Sequence, residues 1–160
     1  MGKFEKKTLR NIDIINIINY INYSIDKGDE EKKYPVFEAI NKCPIKIKWA
    51  FHVNTKALES AHQTYQDALK ELENNYNDDD HSFDDILKDE NGNPIKDENG
   101  DEQHVRSVKD EYVEKFKQER MDLLIQENEV KIMIVDIEDF EGADIDYGCI
   151  EALSFMIREG

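Results

Sequence analysis

The chain reads as an α+β domain. Isoleucines recur at helical spacing near the N-terminus. A longer stripe of alanines and larger apolar residues runs from Ala50 to Leu72. One β-branched run, Val130 to Ile137, is flanked by acids. At 160 residues the chain is one domain of ordinary size, able to bury a real core. The expected architecture has three main helices with a long central one. It also has a small β-sheet, made of an N-terminal strand and strand 130–137, and a protruding acidic β-hairpin. The whole of 1–160 is expected as a single domain, with the acidic excursion at about 78–106.

Phe4 to Leu9 is a short edge strand, the natural partner of 130–137. Asn11 can cap the next helix. Ile14, Ile18, Ile21 and Ile25 give that helix one apolar face, and Gly28 ends it. Gly28 to Lys33 is a charged connector, and Tyr34-Pro35-Val36-Phe37 a docked turn. Pro44 suits the first position of the long helix. Its stripe is Ala50, Val53, Ala57, Ala61, Tyr65, Ala68 and Leu72, six steps of three or four residues. Asn74 to Asp80 stops it.

Asn91-Gly92 and Asn99-Gly100 follow, eight residues apart. Each is a tight-turn signal, since both central positions tolerate positive φ. Ile86 to Val105 therefore reads as a hairpin or small meander, with a disordered acidic loop as the alternative. Ser107 can cap a helix running to Glu127, whose face is Tyr112, Val113, Phe116, Arg120, Leu123 and Leu124. Asp146 can cap a short helix carrying Ile150, Leu153, Phe155, Met156 and Ile157.

Charge is distributed unevenly. The 32 residues from Glu71 to Glu102 hold 13 acids and two bases, Lys88 and Lys96, a net charge of −11 out of −16 for the chain. Such an anion repels phosphate, which argues against direct nucleic-acid binding, and it attracts a basic protein or water. The carboxylates expected to meet a basic partner are Asp84, Asp85, Asp89, Glu90, Asp97, Glu98, Asp101 and Glu102. Met1 to Arg10 has no apolar signal core and no segment is long enough for a membrane span, so a cytoplasmic, soluble protein is expected.

The order of elements resembles a family of small proteins of unknown function encoded by phages of low-GC bacteria and their prophages. The residues carrying the resemblance are Leu9 to Ile18, Pro44-Ile45-Lys46, Tyr76, Asp89 to Ile95, Val130 to Ile137, and Glu151-Ala152-Leu153-Ser154-Phe155-Met156-Ile157. This chain has a longer connector at Asp26 to Cys43 and a longer acidic excursion. The resemblance implies a phage protein acting in the infected bacterial host, and it brings no catalytic residue with it.

No residue set completes a catalytic site. Asp136 and Glu138, on the best strand, match the way ribonuclease-H-like exonucleases present their first two carboxylates to paired Mg²⁺. Asp144 and Asp146 could add ligands, but only 22 residues follow Glu138, too few for the rest of such a sheet. Solvated acids at a strand end are the plainer reading. A helix-loop-helix calcium site with Gly100 sixth would start at Ile95 and end at Arg106, and one with Gly92 sixth would start at Leu87, so neither works. His52, His62, His81 and His104 lack ligand spacing. Cys43 and Cys149 match no metal or redox pattern and read as buried thiols. Trp49 is either core or an interface anchor. The expectation is thus no enzyme, no cofactor and no metal. The chain would be a phage-encoded binding protein, monomer or small homo-oligomer, that inhibits a host defence or nucleic-acid-handling protein through its acidic surface. The alternative is an adaptor of virion assembly.

Overall fold

The structure, a computed structural model, describes residues 3–28 and 30–159. It is α+β, with five α-helices among the described residues, one of them long, and small antiparallel sheets. The chain divides into two compact units: Met1–Tyr65 with Leu124–Gly160, and Gln66–Leu123. No helix of the described residues is long and apolar enough to cross a membrane.

In the first unit, strand β1 (Lys3–Arg10) pairs antiparallel with a C-terminal strand, Glu127–Ile134, from Lys3 opposite Ile134 to Arg10 opposite Glu127. That second strand holds the core. Val130, Ile132, Met133 and Ile134 are buried, as is the following Val135, and alternation sends them to both faces. Burying each contributes about 1.5–3 kcal/mol. The strand stops three residues short of the expected Ile137. Asp136 and Asp139 form a reciprocal cap that turns Ile137–Phe140 into a 3₁₀ helix.

Helix α1 (Asn11–Ile21) begins one residue earlier than a capping Asn11 allows. Arg10 is the cap residue: its N–H and its guanidinium both donate to the Asp13 carboxylate. Asn11 is instead buried, and its side-chain oxygen accepts from Asn128 at 2.8 Å. Nor does α1 reach Ile25. Asn22, Tyr23 and Ser24 are poor helix formers. Ile25 belongs to β2 (Ile25–Lys27), which pairs with β3 (Glu30–Lys33) across a turn where Gly28 takes φ +75°. The charged connector is thus a small ribbon, and Gly28 does not cap a helix. Helix α2 (Pro35–Asn41) starts on Pro35 and buries Val36, Ala39 and Ile40.

Helix α3 spans Ile45–Asn75. Pro44 lies just before it, its carbonyl accepting from Ile47 and Lys48. Its buried residues are Ile47, Ala50, Phe51, Asn54 and Leu58, while Val53, Ala57, Ala61, Tyr65, Ala68 and Leu72 are only half-buried. The true core face is rotated about one residue from the alanine stripe, because Ile47, Phe51 and Leu58 bury more apolar area than the alanines can. The last helix in this unit (Tyr147–Ala152) is capped as expected, with Asp146 accepting from the Cys149 N–H at 2.8 Å.

The outer edge of the core strand is sealed by side chain and loop. Asn54 is fully buried. Its amide nitrogen donates to the Met133 carbonyl at 2.9 Å, and its oxygen accepts from the Met133 N–H at 2.7 Å. Two residues on, Val135 donates to the Met156 carbonyl and accepts from Arg158. Asn54 thus replaces a third strand at one position. Asn54→Ala should strand both Met133 groups in the core, each at about 1–3 kcal/mol. We expect a loss of about 2–5 kcal/mol in urea denaturation; a variant within 0.5 kcal/mol of wild type (about the scatter for a neutral surface change) would mean water or a rearranged neighbour takes over.

Candidate functional site

The second unit carries the acidic window. After α3, strand β4 (Ser82–Ile86) pairs antiparallel with β5 (His104–Val108), from Ser82 opposite Val108 to Ile86 opposite His104. Helix α4 (Asp110–Ile125) follows. Ser107 lies in β5 and caps nothing, since strand pairing with Phe83 takes it. The helix has no fully buried residue. Tyr112, Val113, Phe116, Leu123 and Leu124 are half-buried, whereas Arg120 is exposed, its guanidinium 5.6 Å from the Phe116 ring centre.

Tyr76, just past α3, is buried under an aromatic cluster: Phe116 at 4.9 Å, His81 at 5.5 Å and Tyr112 at 6.5 Å between ring centres. Its hydroxyl donates to Glu119. Burial and then Glu119 push the phenol up from its ordinary value. His81 sits 2.6 Å from the Asp78 carboxylate, which it holds below the usual range.

Arg106 gathers the base of the β4–β5 pair. It donates to Asp84 and Asp79, each at 3.1 Å, to the Ser82 hydroxyl at 2.8 Å and to the Asn77 carbonyl. One cation therefore offsets two acids of the window. Asp84 is consumed in this way. Asp85 is half-buried and accepts from the Ile86 N–H.

Between the strands the backbone builds two matching turns. In the first, the Gly92 N–H reaches the Asp89 carbonyl, the Asp89 N–H reaches the Asn93 carbonyl, and the Asp89 carboxylate accepts from Asn91 and Asn93. Asp97 repeats each bond with Gly100, Asp101 and Asn99. Gly92 and Gly100 have φ +83° and +81°, while no described non-glycine residue has positive φ. The Asn-Gly pairs are therefore not mirror-image two-residue turns. Each is a type I turn on Glu-Asn followed by a left-handed glycine, a path the preceding aspartate selects by accepting the free N–H groups.

The turns belong to an eight-residue repeat, Leu87–Pro94 and Ile95–Glu102, with Lys-Asp-Glu-Asn-Gly in common. Three residues spaced by eight close a ring: Leu87 donates to Gln103, Gln103 to Ile95, and Ile95 to Leu87. The segment is a three-way backbone junction rather than a plain hairpin or meander. The repeat was visible in the sequence, but spacing alone does not reveal a closed ring.

Of the eight expected contact carboxylates, Asp84, Asp85, Asp89 and Asp97 hold the scaffold. Glu90, Glu98, Asp101 and Glu102 are exposed, and their side chains have no partner among the described residues. They form the solvent-facing anion.

Elsewhere, Asp136 and Glu138 do not converge on a cation. Asp136 accepts from the Arg158 guanidinium at 2.6 Å. Asp139 meets Lys46 at 2.9 Å, and Lys46 followed by the Asp136 N–H holds its carboxyl below the usual range. Among the described residues no group of three His, Cys, Asp or Glu side chains is placed to hold a metal. Cys43 and Cys149 are buried free thiols, and burial pushes Cys149 up to about 11. Trp49 is not core: it is 48% exposed beside His52. No family model matches this chain, and no curated protein or solved structure matches it either.

Two outcomes follow. Asp97→Ala should speed amide exchange at Asn99 and Asp101, whereas Asp97→Asn should leave it near wild type because the amide oxygen still accepts; equal exchange in all three would mean the carboxylate does not shape the turn. Asp139 has a lowered folded pKa. Its contribution is present above the ordinary carboxylate range and disappears as pH falls through the folded value. Lys46→Met should therefore lower urea midpoints at neutral pH and converge with wild type in acid. A gap that stays constant with pH would assign Lys46 a packing role only.

Proposed function

We propose that this chain is a phage-encoded, non-catalytic binding protein that acts in the cytoplasm of the infected host. Its acidic excursion engages a basic protein, in a host defence or nucleic-acid-handling system, and inhibits it. One observation carries the reading. Within the −11 window, Glu90, Glu98, Asp101 and Glu102 are unpaired carboxylates on or next to turns whose geometry Asp89 and Asp97 maintain. An anion meant only for solubility needs no such division of labour. Carboxylates can replace phosphates against Lys and Arg, so the natural target is a phosphate-binding groove, occupied as nucleic acid would occupy it.

Long-range attraction sets the association rate and makes it fall with salt, since the screening length shrinks from about 10 Å at 0.1 M to about 3 Å at 1 M. The test begins with capture of the partner from the host lysate. The combined change Glu90→Gln, Glu98→Gln, Asp101→Asn and Glu102→Gln should then slow association at least about tenfold at low salt and flatten its salt dependence. Thermal stability should not drop, because none of the four side chains holds the fold. Unchanged association and salt dependence would leave the excursion as solvated surface. Recovery of phage structural proteins in place of a host protein would point to assembly instead.

A further inference from the structure

Strand β1 differs from the rest of this acidic chain. It carries Lys3, Lys6, Lys7 and Arg10 against one acid, Glu5. Arg10 is paired with Asp13, but Lys3, Lys6 and Lys7 make no ion pair among the described residues. Lys6 lies directly opposite Lys131 across the sheet, and the Lys131 ammonium sits 6.0 Å from the Phe4 ring. Like charges in that position repel. The sheet as a whole sets Lys3, Lys6, Lys7, Arg10 and Lys131 against Glu5, Glu127 and Glu129, with Lys6 and Lys131 on one face and Lys3 and Lys7 on the other.

The backbone of the same strand is open on one side. Its only hydrogen-bonded neighbour among the described residues is the Glu127–Ile134 strand. The pairing phase follows from two contacts. Met133, opposite Phe4, gives both its backbone groups to Asn54, and Arg10, opposite Glu127, gives its N–H to Asp13. In an antiparallel ladder such residues point their N–H and C=O away from the partner strand. Phe4, Lys6 and Thr8 share that phase, so their N–H and C=O groups face outward, and no described residue accepts or donates there. The other edge differs at Met133 and Val135, which are closed by Asn54 and by Met156 to Arg158.

We propose that this free edge takes an extended acidic peptide by strand addition. Main-chain bonds to Phe4, Lys6 and Thr8 supply the affinity, and carboxylates at alternate positions, which share one face of the added strand, meet Lys6 with Lys131 beyond it. A second copy of β1 does not fit, because antiparallel pairing would set its lysines against these; lysines on an edge strand deter that association. The edge belongs to the first unit, and the proposal does not rest on the role of the acidic excursion.

The probe is a fluorescent octapeptide alternating Glu and Val, titrated against the full chain at low salt. It should bind at least about tenfold more tightly than its Lys-Val counterpart. N-methylation of its backbone should abolish binding, because the main-chain donors are lost while charge stays the same. Lys6→Pro should weaken binding at least about tenfold yet keep the urea midpoint, since the Lys6 N–H is not used by the neighbouring strand. Equal binding of the N-methylated peptide would overturn strand addition in favour of charge alone. Tighter binding of an oligothymidylate than of the Glu-Val peptide, or a concentration-dependent dimer that Lys6→Pro abolishes, would each overturn the peptide assignment. Should Lys6→Pro unfold, the N-methylated peptide on the unaltered chain decides the matter alone.

Discussion

The bidentate pairing of Asn54 with Met133 is the constraint on which the first unit depends. A two-stranded sheet buries one strand at the cost of leaving that strand's outer edge without backbone partners. Here the most apolar strand of the chain, with Ile132, Met133 and Ile134 all buried, has just such an edge. A carboxamide supplies one donor and one acceptor with the spacing of a peptide group, so Asn54 completes the edge without a third strand. Met156 and Arg158 continue the seal beside Val135. Ile47, Phe51 and Leu58 of α3 then share one core with Ile132, Met133 and Ile134.

The acidic window follows a different rule. Its charge is not uniform in purpose. Asp89 and Asp97 spend their carboxylates on N–H groups of the turns that follow them, and Asp84 on Arg106. These carboxylates turn a highly polar segment, which lacks the apolar area to fold by burial, into defined backbone geometry. The ring among Leu87, Ile95 and Gln103 does the same with main-chain groups alone. What remains free is therefore presented at set positions rather than as a diffuse cloud.

Charge also separates along the sequence. Glu90, Glu98, Asp101 and Glu102 lie between β4 and β5, whereas Lys3, Lys6 and Lys7 lie on β1, with Lys131 on the strand paired to it. A net charge of −16 hides the second population, because thirteen acids in one window dominate the sum. The basic strand becomes visible only when its residues are seen to share one sheet whose outer edge is open.

The sequence by itself determined the elements that rest on local periodicity and capping. These are the long helix after Pro44, the pairing candidates Phe4–Leu9 and Val130 onward, the cap at Asp146, the turns at both Asn-Gly pairs, and the concentration of acid between Glu71 and Glu102. It also contained the eight acidic positions, but not which of them were free. Only the tertiary structure decided that Asn11 is buried and Arg10 caps, that Ile25 leaves the helix for a ribbon, and that the core face of α3 centres on Ile47, Phe51 and Leu58 with Asn54 among them. The two buried asparagines depend on partners far along the chain: Asn128 for Asn11, Met133 for Asn54. Periodicity reports which residues can share a face; which polar group a buried backbone N–H and C=O will find is settled only when distant segments meet.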